Sequence, residues 1–161
     1  MFELNDRVIV LTGSTGVLGG SIAKSLAKEK SIVIVLGRNE ALLKSLTLEL
    51  NVFSESNYFV VDVLSKEALI KVKEKIIQKW GRVDALINAV GGNLPGAVVG
   101  EDQSLFDLAE DDFDEVVDLN LKGTLLPSLV FGEVMKDQGK GSIVNYSSMA
   151  VDRTITRVAG Y

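Results

Sequence analysis

The chain has 161 residues, 47% apolar and 24% charged, and its 17 basic against 22 acidic side chains leave a formal charge of −5. That length suits a single domain, residues 1–161, with a core of its own, and the negative balance argues against a nucleic-acid surface, which needs a basic face. With neither cysteine nor histidine, disulfides, thiol nucleophiles, zinc fingers and Ser-His-Asp triads are excluded, and acid–base chemistry near neutral pH falls to Tyr, Lys, Ser, Asp or Glu.

The opening residues lack the basic start and the long apolar stretch of a secretion signal. The longest apolar runs, such as Ile32 to Leu36, are far too short to span a membrane. A cytoplasmic protein is expected.

Apolar runs then alternate with helical patterns. Val8 to Leu11 reads as a strand ending at Thr12-Gly13. A helix from about Val17 to Lys28 follows, with Ile22, Ala23, Leu26 and Ala27 on one face. Ile32–Leu36 is the second strand, Ala41 to Leu50 the second helix and Tyr58–Val61 the third strand. Ser65 caps a third helix that runs to Trp80 and stops at Gly81. Val83 to Asn88 is the fourth strand, followed by a long loop from about Ala89 to Ala109. A helical region from about Asp111 to Lys136 precedes the fifth strand, Ile143 to Tyr146. Unbroken Val/Ile strands separated by helices imply parallel neighbours covered on both faces. The expected fold is α/β, a doubly wound parallel sheet of the Rossmann type with helices on both faces. A loop as long as the one after the fourth strand is usually functional.

Between the first strand and the first helix lies Gly13-Ser14-Thr15-Gly16-Val17-Leu18-Gly19. Glycines there permit a tight turn, let a pyrophosphate approach the backbone and allow helix and strand to pack closely. The free N–H groups of the first helical turn then face phosphate. About 20 residues further on, an acid would be needed to grip the ribose of NAD. The sequence has Gly37, Arg38 and Asn39 instead, and a guanidinium suits a 2′-phosphate. NADP(H) is favoured over NAD(H).

Four further features resemble the short-chain dehydrogenase/reductase family, and the resemblance runs from Asp6 to the end of the chain. Asp62-Val63 resembles the family's adenine-contacting pair. Asn88-Ala89-Val90-Gly91 resembles its Asn-Asn-Ala-Gly segment, with Ala89 in place of the second Asn. Asn120 resembles the active-site Asn, and Tyr161 follows Ser148 by 13 positions, the family's Ser-to-Tyr spacing. One departure is Val17, where many members have the middle glycine; Gly13/Gly16/Gly19 is more typical of the extended, nucleotide-sugar epimerase branch. Asn120 and the Ser148-to-Tyr161 spacing weigh more heavily for the non-extended branch. The other departure is the family's Lys, four places beyond its Tyr, which lies past Tyr161. The chain is therefore expected to be part of a longer one, truncated before the last strands, inactive alone, and with apolar faces of its fourth and fifth strands uncovered.

The resemblance implies hydride transfer between a nicotinamide cofactor and a carbonyl or secondary alcohol. Tyr161 would be the acid/base, Ser148 would hold the substrate oxygen, and Asn120 would hold a water linking the Lys to solvent. The segments Gly91 to Pro95, Ser104 to Leu108, Gly123 to Pro127 and Ser147 to Met149 resemble the D-mannonate (fructuronate) oxidoreductase subgroup, which implies a sugar or sugar-acid substrate. A sugar acid needs a cation, and Glu101 to Asp118 holds nine acids and no base. Arg153 and Arg157, between Ser148 and Tyr161, are the candidates to meet the carboxylate, with Asn93 as a further substrate contact. No metal site is expected. Family relatives form dimers and tetramers, so a homo-oligomer is expected. The alternatives are an extended-branch nucleotide-sugar epimerase and a non-catalytic NADP-binding regulator, since fold does not fix function.

Overall fold

The strand sequences place one apolar residue after another on alternate faces, and both faces are used. In the computed structural model, which describes residues 3–153, 155–158 and 160, β1 (Val8–Thr12) lies at the centre of a five-stranded sheet, with β2 (Ile32–Gly37) beside it. The others are β3 (Ser56–Val60), β4 (Ala85–Asn88) and β5 (Ser142–Asn145). The order is β3-β2-β1-β4-β5, and every pairing is parallel. Val8 and Val10 of β1 point to one side, where they join Ile34, Leu36 and Leu86. That side is covered by α3 (Lys66–Trp80), through Leu69 and Ile76, and by α5 (Gly123–Asp137), through Val130, Phe131 and Met135. Ile9 and Leu11 point to the other side with Val33, Val35 and Ile87. There α1 (Val17–Lys28) contributes Ala23 and Ala27, and α2 (Glu40–Leu50) contributes Leu43, Leu46 and Leu50. The doubly wound sandwich is the expected one.

The helix ends follow the cap residues. Ser65 accepts a bond from the Ala68 amide at the start of α3, and Gly81 ends it in the left-handed conformation at φ +72°. Asn39 caps α2 through the Leu42 amide.

Four expectations are corrected. β3 starts at Ser56, two residues before the apolar run, because backbone pairing with β2 extends over Ser56 and Asn57 whatever their polarity. β4 starts at Ala85 rather than Val83, since the Val83 amide and carbonyl are both taken by the Gln138 side chain. The single helix expected from Asp111 to Lys136 is instead α4 (Glu110–Val117), a π-helical turn over Asp118–Lys122, and α5. Uncovered apolar faces are expected on both the fourth and the fifth strand, but only β5 is exposed along its length, whereas β4 is buried as far as Asn88 because β1, β5 and α5 enclose it. Among the described residues no helix is long and apolar enough to cross a membrane.

The strand order reverses between β1 and β4, and their carboxyl ends open a crevice at that switch point, the usual ligand position of such sheets.

Candidate active site

The turn after β1 is built of atoms too close for side chains. Gly13 has φ +65°, and a Cβ there would stand 2.3 Å from the Ala89 carbonyl oxygen. A Cβ on Gly19 would lie 2.2 Å from the Gly13 carbonyl oxygen. Gly16 meets nothing nearer than 3.4 Å, so its small size is not demanded by the chain itself. Gly16 is also the N-cap of α1 and offers no side-chain bond, and no acid lies in the helix's first turn. The leading N–H groups are thus left for an anion. Val17 and Leu18 stand exposed beside them.

Two side chains hold this turn. Ser14 is fully buried and its hydroxyl donates to the Leu36 carbonyl at 3.2 Å, so only its backbone can serve a ligand. Thr12, which the sequence reading did not single out, is buried and accepts from the Ala89 amide at 3.2 Å. A hydroxyl at the close of an apolar strand was the available signal.

Two cavities lie side by side at this edge and share the wall Ala89–Gly91. One, of about 230 Å³, is bounded by Gly13, Thr15, Gly16, Gly37, Arg38, Asp62 and Val63. Arg38 is exposed at the end of β2. Asp62 accepts from the Leu64 amide at 2.9 Å and stays at the surface. Asn39 is corrected: its side-chain oxygen is taken up by the Leu42 amide at 3.1 Å, because the start of α2 needs a cap, and it is not among the residues bounding this cavity.

The other cavity, of about 380 Å³, is lined by Leu18, Ala89–Gly92, Asn120, Thr124, Tyr146–Ser148 and Ala150. Asn120 belongs to the π-helical turn, a feature frequent at functional sites. Its amide donates to the carbonyls of Gly92 at 2.8 Å and Val116 at 2.9 Å, and its oxygen accepts from the Gly92 amide at 2.9 Å. The side chain is thus spent on clamping the loop after β4, and a Cβ on Gly91 would stand 2.7 Å from its oxygen. Ser148 follows β5 and accepts from the Ala150 amide at 3.1 Å, which leaves its own hydrogen to donate. Thr124, within the Gly123-to-Pro127 segment, is a further wall residue, and so is Tyr146, which the sequence marks only as part of a strand. Tyr161 lies outside the described residues.

The three proposed substrate contacts are not among the walls of this cavity. Asn93 and Arg153 are exposed. Arg157, at φ +67°, turns its guanidinium to Glu101 at 3.3 Å, while its carbonyl accepts from the Val99 amide. Arg157 is therefore corrected: the acidic loop that carries no base claims it. Among the described residues no three acids, His or Cys gather as a metal site.

A family model for short chain dehydrogenases matches residues 7–161. The uncharacterised oxidoreductase UxuB of Bacillus subtilis is 34% identical over 99% of this chain and 60% of its own length. A structure from Haemophilus influenza, provisionally described as a D-mannonate oxidoreductase with bound NAD, is 32% identical at TM-score 0.91, over 99% of this chain and 61% of that one. An actinorhodin polyketide ketoreductase variant with NADPH is 27% identical at TM-score 0.88, over 100% of this chain and 60% of that one. The chain spans about 60% of the length of these relatives.

Proposed function

The chain belongs to the short-chain dehydrogenase family, and from that premise we propose that it carries the dinucleotide site of an oxidoreductase acting on a carbonyl or secondary alcohol, with NADP(H) as cofactor. The observation that supports this most is the adjacency of the two cavities across Ala89–Gly91, one bordered by the glycine turn and Arg38, the other by Asn120 and Ser148. The glycine turn fits a dinucleotide, since the space that a Cβ on Gly13 or Gly19 would need is already taken by backbone, and Gly16 leaves room in front of the unpaired N–H groups of α1.

When bound, a nicotinamide dinucleotide supplies or accepts the hydride. This chain's residues do the rest. The Gly16-to-Leu18 backbone seats the pyrophosphate, Asp62 and Val63 border the adenine, and exposed Arg38 meets a 2′-phosphate through charge-assisted bonds. Ser148 donates its free hydrogen to the substrate oxygen and Tyr161 exchanges a proton with it. Asn120 keeps the Ala89–Gly92 wall in place, with both amide hydrogens given to Gly92 and Val116 and its oxygen accepting from Gly92. The substrate is proposed to be a sugar or sugar acid, a reading supported by the Haemophilus relative's description. With Arg157 committed to Glu101, Arg153 is the cation proposed for a carboxylate. Leu121, Leu125 and Leu129 form an exposed apolar stripe at four-residue spacing, which supports self-association through α5.

Fluorescence titration tests the cofactor reading. NADPH is expected to bind more tightly than NADH, and Arg38→Ala to weaken NADPH roughly 10- to 100-fold, the worth of charge-assisted bonds, while NADH changes little. Equal losses for both nucleotides would refute the role of Arg38. In the longer chain that carries the family's Lys, binding with no turnover of D-fructuronate, D-mannonate or uncharged ketoses would favour a regulator over an enzyme.

A further inference from the structure

We propose that Gly160 is a positioning residue: with no side chain, it lets the segment that follows Ser148 seat against Val116 of α4, whose carbonyl holds the Asn120 amide. The consequence for Tyr161, which is next in the chain and lies outside the described residues, rests on the reading above; the seat itself does not.

From Ser148 the chain passes through a short 3-10 turn, Met149–Val151, and then meets the loop after β4. Two backbone contacts join them. Val98 and Val158 form an isolated antiparallel bridge, and the Val99 amide donates to the Arg157 carbonyl at 2.9 Å. Arg157 takes φ +67° here, a left-handed conformation that is uncommon for a residue with a side chain, so other contacts must hold the turn. Its ion pair with Glu101 contributes little, because the two side chains are 49% and 85% exposed and water screens them.

What remains is the contact at Gly160. A Cβ there would stand 3.2 Å from the Val116 Cγ1, 3.3 Å from the Val116 Cβ and 3.3 Å from the Phe113 Cδ2. These separations fall short of ordinary carbon–carbon contact, about 3.5–4.0 Å. Phe113 is 36% exposed and can turn aside, but Val116 is fully buried. A valine in a helix keeps one strongly preferred rotamer, so its methyl has nowhere to swing. A side chain at 160 must therefore push the segment off α4. Val116 also accepts from the Asn120 Nδ2 at 2.9 Å. One residue of α4 thus meets both the backbone just before Tyr161 and the side chain that clamps the Ala89–Gly92 wall.

The test grades the side chain at 160 in the longer chain that carries the family's Lys. Exchange of the Val99 amide reports the seat without any chemistry. It should quicken about tenfold in Gly160→Ala, as overpacking implies, and further in Gly160→Val. Where turnover is measured, Gly160→Ala should lower kcat about three- to tenfold, since a misplacement of about 1 Å costs roughly 100-fold, with nucleotide affinity within twofold of wild type. Removing the obstacle should reverse this: measured against Val116→Ala, the double variant Gly160→Ala/Val116→Ala should lose less than twofold in both readouts. Glu101→Gln should leave Val99 exchange within twofold of wild type. The proposal is overturned by unchanged Val99 exchange or unchanged kcat in an active Gly160→Ala enzyme, or by equal losses with and without Val116→Ala. A Glu101→Gln effect as large as that of Gly160→Ala would overturn it too. Should Gly160→Val not fold, Gly160→Ala and the double variant decide. Val99 exchange that responds as expected in a chain with no turnover of any carbonyl compound would defeat the reading of Tyr161 and leave the seat intact.

Discussion

A single methyl group separates the two reasons for glycine in the turn after β1. At Gly19 the methyl of alanine would press into the Gly13 carbonyl oxygen, 2.2 Å away, and the neighbouring backbone cannot move without disturbing β1. Gly19→Ala should therefore destabilise the fold by about 1–3 kcal/mol, as overpacking does, and abolish nucleotide binding with it. At Gly16 the nearest atom is 3.4 Å away. Gly16→Ala should leave the denaturation midpoint near that of wild type and weaken nucleotide binding alone. Urea midpoints and NADPH titrations of the two variants check this, and a stable, tightly binding Gly19→Ala would contradict the close packing. The same scale shows what a residue name conceals. Ser14 and Asn39 stand where a ligand contact is expected, yet the hydroxyl of Ser14 goes to the Leu36 carbonyl and the amide oxygen of Asn39 to the Leu42 amide. Each serves the backbone beside it because buried or helix-starting polar groups need partners first.

Among the elements, β5 differs from its neighbours. β1 is buried throughout, while Ile143 and Val144 of β5 keep about 40% and 45% of their surface exposed. Among the described residues no strand pairs with its outer edge, and an edge so placed is a template for association of the 161-residue chain. Val144→Lys should lower the self-association of this chain at high concentration without changing its circular dichroism, as analytical ultracentrifugation would report; an unaltered association constant would place the contact elsewhere, with the Leu121-Leu125-Leu129 stripe as the next surface to alter. The helix on the sheet's other side is legible only in outline. An apolar pattern from Asp111 to Lys136 announces a helix, but it does not announce the π-helical turn at Asp118–Lys122. That turn places Asn120 within reach of Gly92, 28 residues away, a long-range contact that no local pattern encodes.

At the scale of the molecule, the far end of the sheet is held by charge. Asp84, where β4 enters the sheet, has a side chain only 9% exposed, beside Arg7 and Arg82. Burial alone would raise its pKa, but the Val8 amide and the guanidinium groups of Arg82 and Arg7 outweigh burial and hold it below the usual aspartate value. A carboxyl depressed by folding contributes stability that is fully present above its unfolded pKa, about 3.9, and is lost as pH falls through the folded value. Asp84→Asn should be less stable than wild type at pH 7, and the gap should close as the pH drops below about 4. Urea midpoints measured from pH 7 to pH 3 would show the two curves converging; parallel curves would remove Asp84 from the acid response.

The sequence by itself determined the alternation of strands and helices, the parallel sheet, the glycine turn and the family motifs from Asp62 to Ser148. These are written in local periodicity and in residue types at fixed offsets, and local physics reads them directly. Only the tertiary structure decided what the polar side chains hold: Asn120 clamps Gly92, Asn88 donates to Asn145, Arg157 turns to Glu101, and Thr12 pins Ala89. A hydrogen bond between residues far apart in the chain depends on which surfaces packing brings within 3 Å, and that distance is set by the fold as a whole.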